Sequence, residues 1–511
     1  MPFSSSDARR LADVSALAHH NPFSPGRVAI ERKLLGDRYR DDVDPRTGGP
    51  NTAAIHEDVT IWVGDLIRPH RRRDESFWRS KQTDAPEVWS HFEDTLLWIV
   101  FHDTHLDVTR FVAPPIDAEP PTCDAARWSR FRKSWRRLVG ESPLSRCFDN
   151  DPAHVFAVFD QIRRAHDSID RFVSGDSPAV AALRARIWES VFTHDLRAYR
   201  DGLYCHMAQF ATLVTGPSGT GKELVARAVG MSRYVPFDPV GGRFADDPRD
   251  GYAAIAPAAM SPTLIESELF GHARGSFTGA NAARVGWFER CPETGAVFLD
   301  EIGDLDAGVQ VKLLRLMQQR EFARVGETKL RRFRGRLIAA TNRDLAADVR
   351  EGCFREDLYY RLCADRIEVP SLRRRIAEHP GELRRLIGYL GRRLFDADDA
   401  SIDRLERQIR DSVGDDYDWP GNVRELEQAL RNCVLRGRYV PLGSDDHSGD
   451  TDAAEGPVTL RLPPGGMTAD ELVRAYARSE HRRLGNYAAA ARSLGLDRRT
   501  VRSYVNGDGE D

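Results

Sequence analysis

The sequence predicts an α/β domain built on a parallel sheet, preceded by a mostly helical block and followed by a small helical one. Three observations carry this. Short apolar strands alternate with amphipathic helices between about 176 and 437. A glycine-framed loop, GPSGTGKE, follows one of those strands and opens a helix. A stretch rich in Gly, Pro, Asp and Ser then sets off an Arg-rich helical end.

The 511 residues are enough for about three domains. Hydrophobic residues make up 41% and the formal net charge is -4, so any nucleic-acid contact must come from a local basic patch. Only six of the 74 basic residues are lysines, which makes Lys222 one of few available for phosphate chemistry. Seven scattered cysteines with no CxxC pair fit a reducing cytoplasm and argue against a disulfide framework or zinc ribbon. The N-terminus MPFSSSDARR lacks an apolar signal core, and no run of 18 apolar residues occurs, so the expectation is a cytoplasmic protein without a membrane span.

Residues 1–175 are rich in Trp, His and Arg and read as helical, as in WSHFEDTLLWIVFHDTHLDVTRFV. RFVSGDSPAV, with Gly, Ser and Pro together, marks a boundary. His91, Glu93, His102, Asp103 and His105 are metal-ligand types, and His102 and His105 share a helical face. Such residues more often cap helices or pair among aromatics, and no metal is assigned there. No acidic pair follows a first strand, so control by a phosphorelay receiver is not expected; a small molecule or protein signal is open.

In the middle block, 176–437, the strand candidates are ATLVT (211–215), AVFLD (296–300) and RLIAATN (336–342), and VQVKLLRLMQQ (309–319) has helical apolar spacing. Gly216, Pro217, Ser218, Gly219, Thr220, Gly221, Lys222 and Glu223 form the loop between strand and helix. Its glycines let bare amides and a helix N-terminus surround phosphates, with Lys222 reaching the β- and γ-phosphates of ATP. Glu223 replaces the usual Ser or Thr, so that ligand to Mg2+ must come from elsewhere. GAVFLDEIGDL ends a strand in two carboxylates: Asp300 suits a magnesium ion, and Glu301 suits orienting the attacking water. In FREDLYYRL, Arg355 and Arg361 could neutralise charge on a transferring phosphoryl group, and if they act across a subunit boundary the enzyme is an oligomer.

Seven blocks in order, GPSGTGKE, ESELFGHARGSFTGA, GAVFLDEIGDL, VQVKLLRLMQQREFARVGE, AATNRDL, FREDLYYRL and WPGNVRELE, resemble the AAA+ domain of bacterial sigma-54-dependent transcription activators. The resemblance covers about half the chain and implies an AAA+ P-loop domain with a helical lid. It implies that GSFTGA, residues Gly275, Ser276, Phe277, Thr278, Gly279 and Ala280, is the loop that grips sigma-54, with Phe277 and Thr278 in contact. An apolar anchor between glycines suits such a moving contact. It further implies that Thr341 and Asn342 are the first sensor, that Arg355 and Arg361 are arginine fingers given in trans, and that Arg424 in GNVRE is the second sensor. A ring, by resemblance a hexamer, is implied. Two departures stand out. Ser276 replaces the usual Ala, and Ala256 occupies the position of an Asn that in the family restrains the catalytic Glu. An insertion around PFDPVGGRFADDPRDGY precedes Ala256.

Residues 438–466 read as a flexible linker. From 467 to 511, GNYAAAARSLGLDRRTVRSYV has the form of a helix-turn-helix, with Gly495 at the turn and Asp497 capping the second helix. Arg498, Arg499, Thr500, Arg502 and Ser503 are placed for phosphate and base-edge contacts with double-stranded DNA. From Met467 to Val505 there are eight Arg against four acids. The pattern resembles the Fis-type end of the same activators.

Overall fold

The computed structural model describes residues 3–41, 50–70, 73–105, 124–140, 151–247, 251–257, 260–277, 280–441, 469–484 and 486–506. The chain forms two compact units, residues 1–442 and 443–511.

At the centre of the first unit lies a five-stranded sheet of β1 (Thr212–Thr215), β2 (Tyr252–Ile255), β3 (Ala296–Leu299), β4 (Arg336–Thr341) and β5 (Asp365–Glu368). Its order is β5-β1-β4-β3-β2 and every pairing is parallel. The inner strands are apolar on both faces because helices cover both, so they read as continuous apolar runs. Alternate residues divide the core. Leu213, Val297, Leu299, Leu337 and Ala339 pack with the helices Ala307–Gln319 and Glu356–Leu362. Val214, Phe298, Ile338 and Ala340 pack on the other side with the helix Lys222–Met231.

Two more helices cover that second side, Pro152–Phe172 and Pro178–Phe192. Each opens on proline after a capping side chain: Asp151 accepts from the Ala153 N–H at 3.1 Å, and Ser177 from the Val180 N–H at 3.4 Å. The 175/176 boundary read from composition falls in the turn between them. Ala165, Ile169 and Val173 before the turn, and Val180, Ile187 and Val191 after it, belong to one core with the sheet.

The helices Ser5–His19, Gly26–Leu35, Pro50–Ile67, Glu75–Asp84, Pro86–His105 and Asp124–Trp135 gather around an aromatic core that includes Trp78, Trp89, Phe92 and Phe131. Ser4 and Asp7 close a reciprocal capping box on the first helix. The insertion that precedes Ala256 also reaches this core. It folds as a hairpin pairing Phe237 with Phe244, and the Phe237 ring lies 5.0 Å from Trp128 and 4.7 Å from Phe156.

Of the metal-ligand types of this block, His102 and Asp103 find protein partners. His102 Nδ1 is 2.8 Å from the Trp98 carbonyl, and Asp103 accepts from Ser134 and Arg137 and faces His56 at 3.2 Å. No group of three or more His, Cys, Asp or Glu placed to hold a metal occurs among the described residues. None of the described helices is long and apolar enough to cross a membrane.

A lid of helices Leu372–Glu378, Glu382–Phe395, Asp399–Val413 and Asn422–Arg436 follows β5, with Leu386, Ile387, Leu426 and Leu430 in its core. Buried Glu382 ties it to the Val173–Ser177 turn. It accepts from the N–H groups of Asp176 (2.7 Å) and Ser177 (3.1 Å) and pairs with Arg375 at 2.6 Å.

In the second unit, Ala469–Leu484, Tyr487–Leu494 and Arg498–Asn506 are helical, and Ala490, Ala491 and Val501 form a small core. Gly485 and most of the expected 438–466 linker lie outside the described residues.

Candidate functional site

At the C-terminal edge of the sheet a cleft of about 320 Å³ opens between the loop after β1, the end of β3 and the lid. Ser218, Gly219, Thr220, Gly221, Lys222, Glu223, Asp300, Glu301 and Arg424, all anticipated from sequence, line it. The loop is tight. A Cβ on Gly216 would stand 2.6 Å from the Val369 carbonyl, and one on Gly219 2.3 Å from the Gly421 carbonyl, at φ of +148° and +76°. Pro217 offers its carbonyl to the Thr220 hydroxyl at 2.9 Å, and Gly221 leads directly into the helix at Lys222. The N-terminus of that helix, Lys222 and Glu223, lines the cleft, and a helix N-terminus is a ready anion seat.

Lys222 is buried, and its ammonium donates to the Gly216 carbonyl at 3.2 Å and lies 3.6 Å from Glu301 Oε1. Glu301 holds a left-handed backbone at φ +48°, uncommon for a residue with a side chain. Its Oε2 accepts the Asn342 N–H at 3.1 Å. The β3–β4 pairing thus brings Asp300-Glu301 beside Thr341-Asn342. Asp300 donates its N–H to Ile255 O at 2.9 Å, and its Oδ1 accepts the Glu301 N–H at 3.1 Å. Since Ile255 pairs with Leu299, Ala256 lies at the same edge as Asp300, exposed and with only a methyl to offer.

The lid meets the loop directly. Arg424 Nη1 donates to Ser218 Oγ at 3.4 Å and its backbone N–H to the Gly219 carbonyl at 3.3 Å. Asn422 does more, and sequence reasoning passed over it. Buried at φ +54°, it donates from Nδ2 to the Ser218 carbonyl at 2.9 Å and accepts the Leu372 N–H at 2.8 Å. The signal was its place after Gly421, where a left-handed turn is cheap for Asn. Also unanticipated are Arg393 on the lid and the apolar wall of Phe172, Val173 and Leu183.

Arg355 and Arg361 stand apart from this cleft, both exposed, and Arg355 pairs with its neighbour Asp357 at 2.7 Å. In the GSFTGA segment, Gly275 donates to the Ala280 carbonyl at 2.8 Å and Ala280 to the Phe277 carbonyl at 3.0 Å. Phe277 is half-buried, edge-on to His272 with 5.0 Å between ring centres, and Ser276 packs against Gly326. Thr278 and Gly279 lie outside the described residues. In the second unit, Arg498, Arg499, Arg502 and Ser503 are exposed on one helix, with Thr500 half-buried, and Asp497 Oδ1 caps that helix from the Arg499 N–H at 2.8 Å.

Residues 197–368 match the Sigma-54 interaction domain. The transcriptional regulatory protein ZraR of Klebsiella oxytoca is 38% identical over 338 residues, 64% of this chain and 67% of the relative. ZraR of Escherichia coli K12 is 39% identical over 300 residues, 58% of this chain and 62% of its own length. The Nif-specific regulatory protein of Azotobacter vinelandii is 39% identical over 296 residues, 57% of this chain and 52% of the relative. The chain thus spans only about half to three fifths of several such relatives. A crystal structure of NtrX from Brucella abortus aligns over 69% of this chain and 72% of its own at 23% identity, with a TM-score of 0.41. On its sequence relatives, the chain belongs to the sigma-54-dependent transcriptional activators.

Proposed function

We propose that this protein hydrolyses ATP in an oligomeric ring, a hexamer by family resemblance, and uses the cycle to drive the GSFTGA loop against sigma-54. The closed promoter complex is thereby remodelled while the C-terminal helix-turn-helix holds upstream DNA. The observation that carries this is the convergence of Lys222, Asp300, Glu301 and Arg424 on one cleft, with Glu301 taking the Asn342 N–H beside it.

The chemistry each can perform follows from position. Lys222 and the loop amides hold the phosphates. Glu301, on giving up the Asn342 N–H, orients a water toward the γ-phosphate. Asp300 with the nucleotide's own oxygens suits Mg2+, a hard ion content with one or two carboxylates, and bound there it would offset the phosphate charge. Glu223 brings another oxygen donor to the same wall. Phe172, Val173 and Leu183 offer an apolar seat for the base. Exposed Arg355 and Arg361 are available to a neighbouring subunit's γ-phosphate. Arg424, already on the loop through Ser218, links phosphate contact to lid position.

ATP turnover by the purified chain tests the enzymatic half of this reading. Turnover that Glu301→Gln lowers by about a hundredfold or more, with nucleotide still bound, supports it. Turnover equal in the variant assigns the hydrolysis elsewhere.

A further inference from the structure

A second cleft, of about 660 Å³, opens at the N-terminal edge of the same sheet. Its size is that of a small-molecule site, roughly 300–1,000 Å³. Gly295, just before β3, and Arg336, the first residue of β4, line it. The strands that lead to Asp300 and Asn342 therefore begin here, about 16–20 Å from those residues at the usual rise per residue.

Its charge is one-sided: five arginines line it against the single carboxylate of Glu293. Arg332 and Arg334 spend their charge on Glu321 and Glu293. Arg336 is buried and pairs with Asp365 at 3.3 Å, yet its Nε–H has no acceptor among the described residues. Arg233 and Arg320 have no carboxylate in contact among the described residues. Arg233 Nε donates to the Gly230 carbonyl at 2.6 Å, and the nearby Asp246 takes the Thr294 hydroxyl at 2.6 Å. Arg320 donates to the Gly335 carbonyl at 2.5 Å and lies over the Phe333 ring, 4.9 Å from its centre. Burial draws the Arg233 pKa down to about 9 and lowers that of Arg320. Half-sheltered guanidinium forks with no carboxylate in contact are costly, and a planar carboxylate fits their geometry.

Apolar and aromatic side chains, Tyr204, Met207, Tyr234 and Phe333, form part of the rest, interrupted by the amides of Gln161, Gln209 and Gln319. Tyr204 and Tyr234 lie 4.5 Å apart, centre to centre. Such walls suit a flat apolar body and add little for a bare inorganic anion.

We propose that this cleft binds a small carboxylate with a planar apolar body, with Arg233 and Arg320 holding the carboxylate and Tyr204, Tyr234 and Phe333 flanking the body. Calorimetric titration of the full chain with benzoate tests this, with neutral benzamide and inorganic phosphate as comparison probes. Saturable binding of benzoate, at least about tenfold tighter than of benzamide, is expected. Arg233→Met and Arg320→Gln should each weaken benzoate by about tenfold while ATP affinity stays as in the parent. The two variants lie on different elements, so if one fails to bind ATP the other decides. Benzoate held no better than benzamide, or held as tightly by folded variants as by the parent, would overturn the proposal. Phosphate bound in preference to benzoate would overturn the apolar-body assignment.

Discussion

The backbone N–H of Asn342 donates to the carboxylate of Glu301 at 3.1 Å, while Lys222 stands 3.6 Å from the other oxygen. The segment after β4 and the helix that follows β1 thus hold Glu301 between them. Ala256, which the resemblance aligns with the family's restraining Asn, lies at the same sheet edge. An amide there would add one hydrogen bond to a charged group. Ala256→Asn should lower basal ATP turnover by about three- to thirtyfold. Steady-state phosphate release measures it, and an unchanged rate would mean that Asn342 and Lys222 already supply the full restraint.

Arg355 and Arg361 face solvent rather than their own nucleotide cleft. If they complete a neighbour's site, Arg361→Ala and Glu301→Gln proteins should each be nearly inactive alone. Mixed, they should regain turnover, because some interfaces then join an intact Glu301 to an intact Arg361. A mixture no more active than its components would place the arginines in cis.

Truncation from the N-terminus should separate at the helix Pro152–Phe172. A copy beginning at Asp151 keeps Ala165, Ile169 and Val173 in the sheet core, and Phe172 and Val173 at the nucleotide cleft. It should bind ATP. A copy beginning at Asp176 loses them and should bind ATP at least about tenfold more weakly, or unfold, since several core side chains at 1.5–3 kcal/mol each are removed. Equal affinity in both would show that this helix is dispensable to the ATPase.

Burial raises the carboxyl of Asp167, on the same helix, to about 7, against the partial opposition of Arg163 and with help from the charges of Asp160 and Asp170. Its Oδ1 has no hydrogen-bond partner among the described residues. A raised acid binds a proton more tightly folded than unfolded, so its contribution is full below about pH 4 and is lost as pH rises through about 7. Asp167→Asn should therefore gain about 1–2 kcal/mol over the parent at pH 8 and little at pH 4.5. Denaturant unfolding at both pH values checks this; equal differences would contradict the titration.

Much of this architecture was legible in the sequence, for a physical reason. Parallel strands covered on both faces read as continuous apolar runs, so β1, β3 and β4 fall on ATLVT, AVFLD and RLIAATN. β5 escaped because DRIE alternates buried with exposed residues at an edge, and β2 because it is four residues behind an insertion. The phosphate loop and carboxylate pair were legible because glycine and acid at fixed spacing carry the chemistry locally. Contacts between distant segments were not. Nothing in PFDPVGGRF says that Phe237 enters the aromatic core of the N-terminal helices, and nothing near Arg233 says that Arg320 and Arg336 share its cleft. Asn422 lay in a recognised motif but was passed over for the charged Arg424 beside it.

Phe277 rests edge-on against His272, in a loop closed by the bond from Gly275 to Ala280. In the proposed cycle ATP turnover moves this loop against sigma-54. The direct measurement is ATP-dependent open-complex formation by purified sigma-54 RNA polymerase on a sigma-54 promoter, with the full-length chain and with Phe277→Ala. Opening is expected from the parent and none from Phe277→Ala, at equal ATP turnover. Equal opening by both, or ATP turnover by the parent without opening, would contradict it.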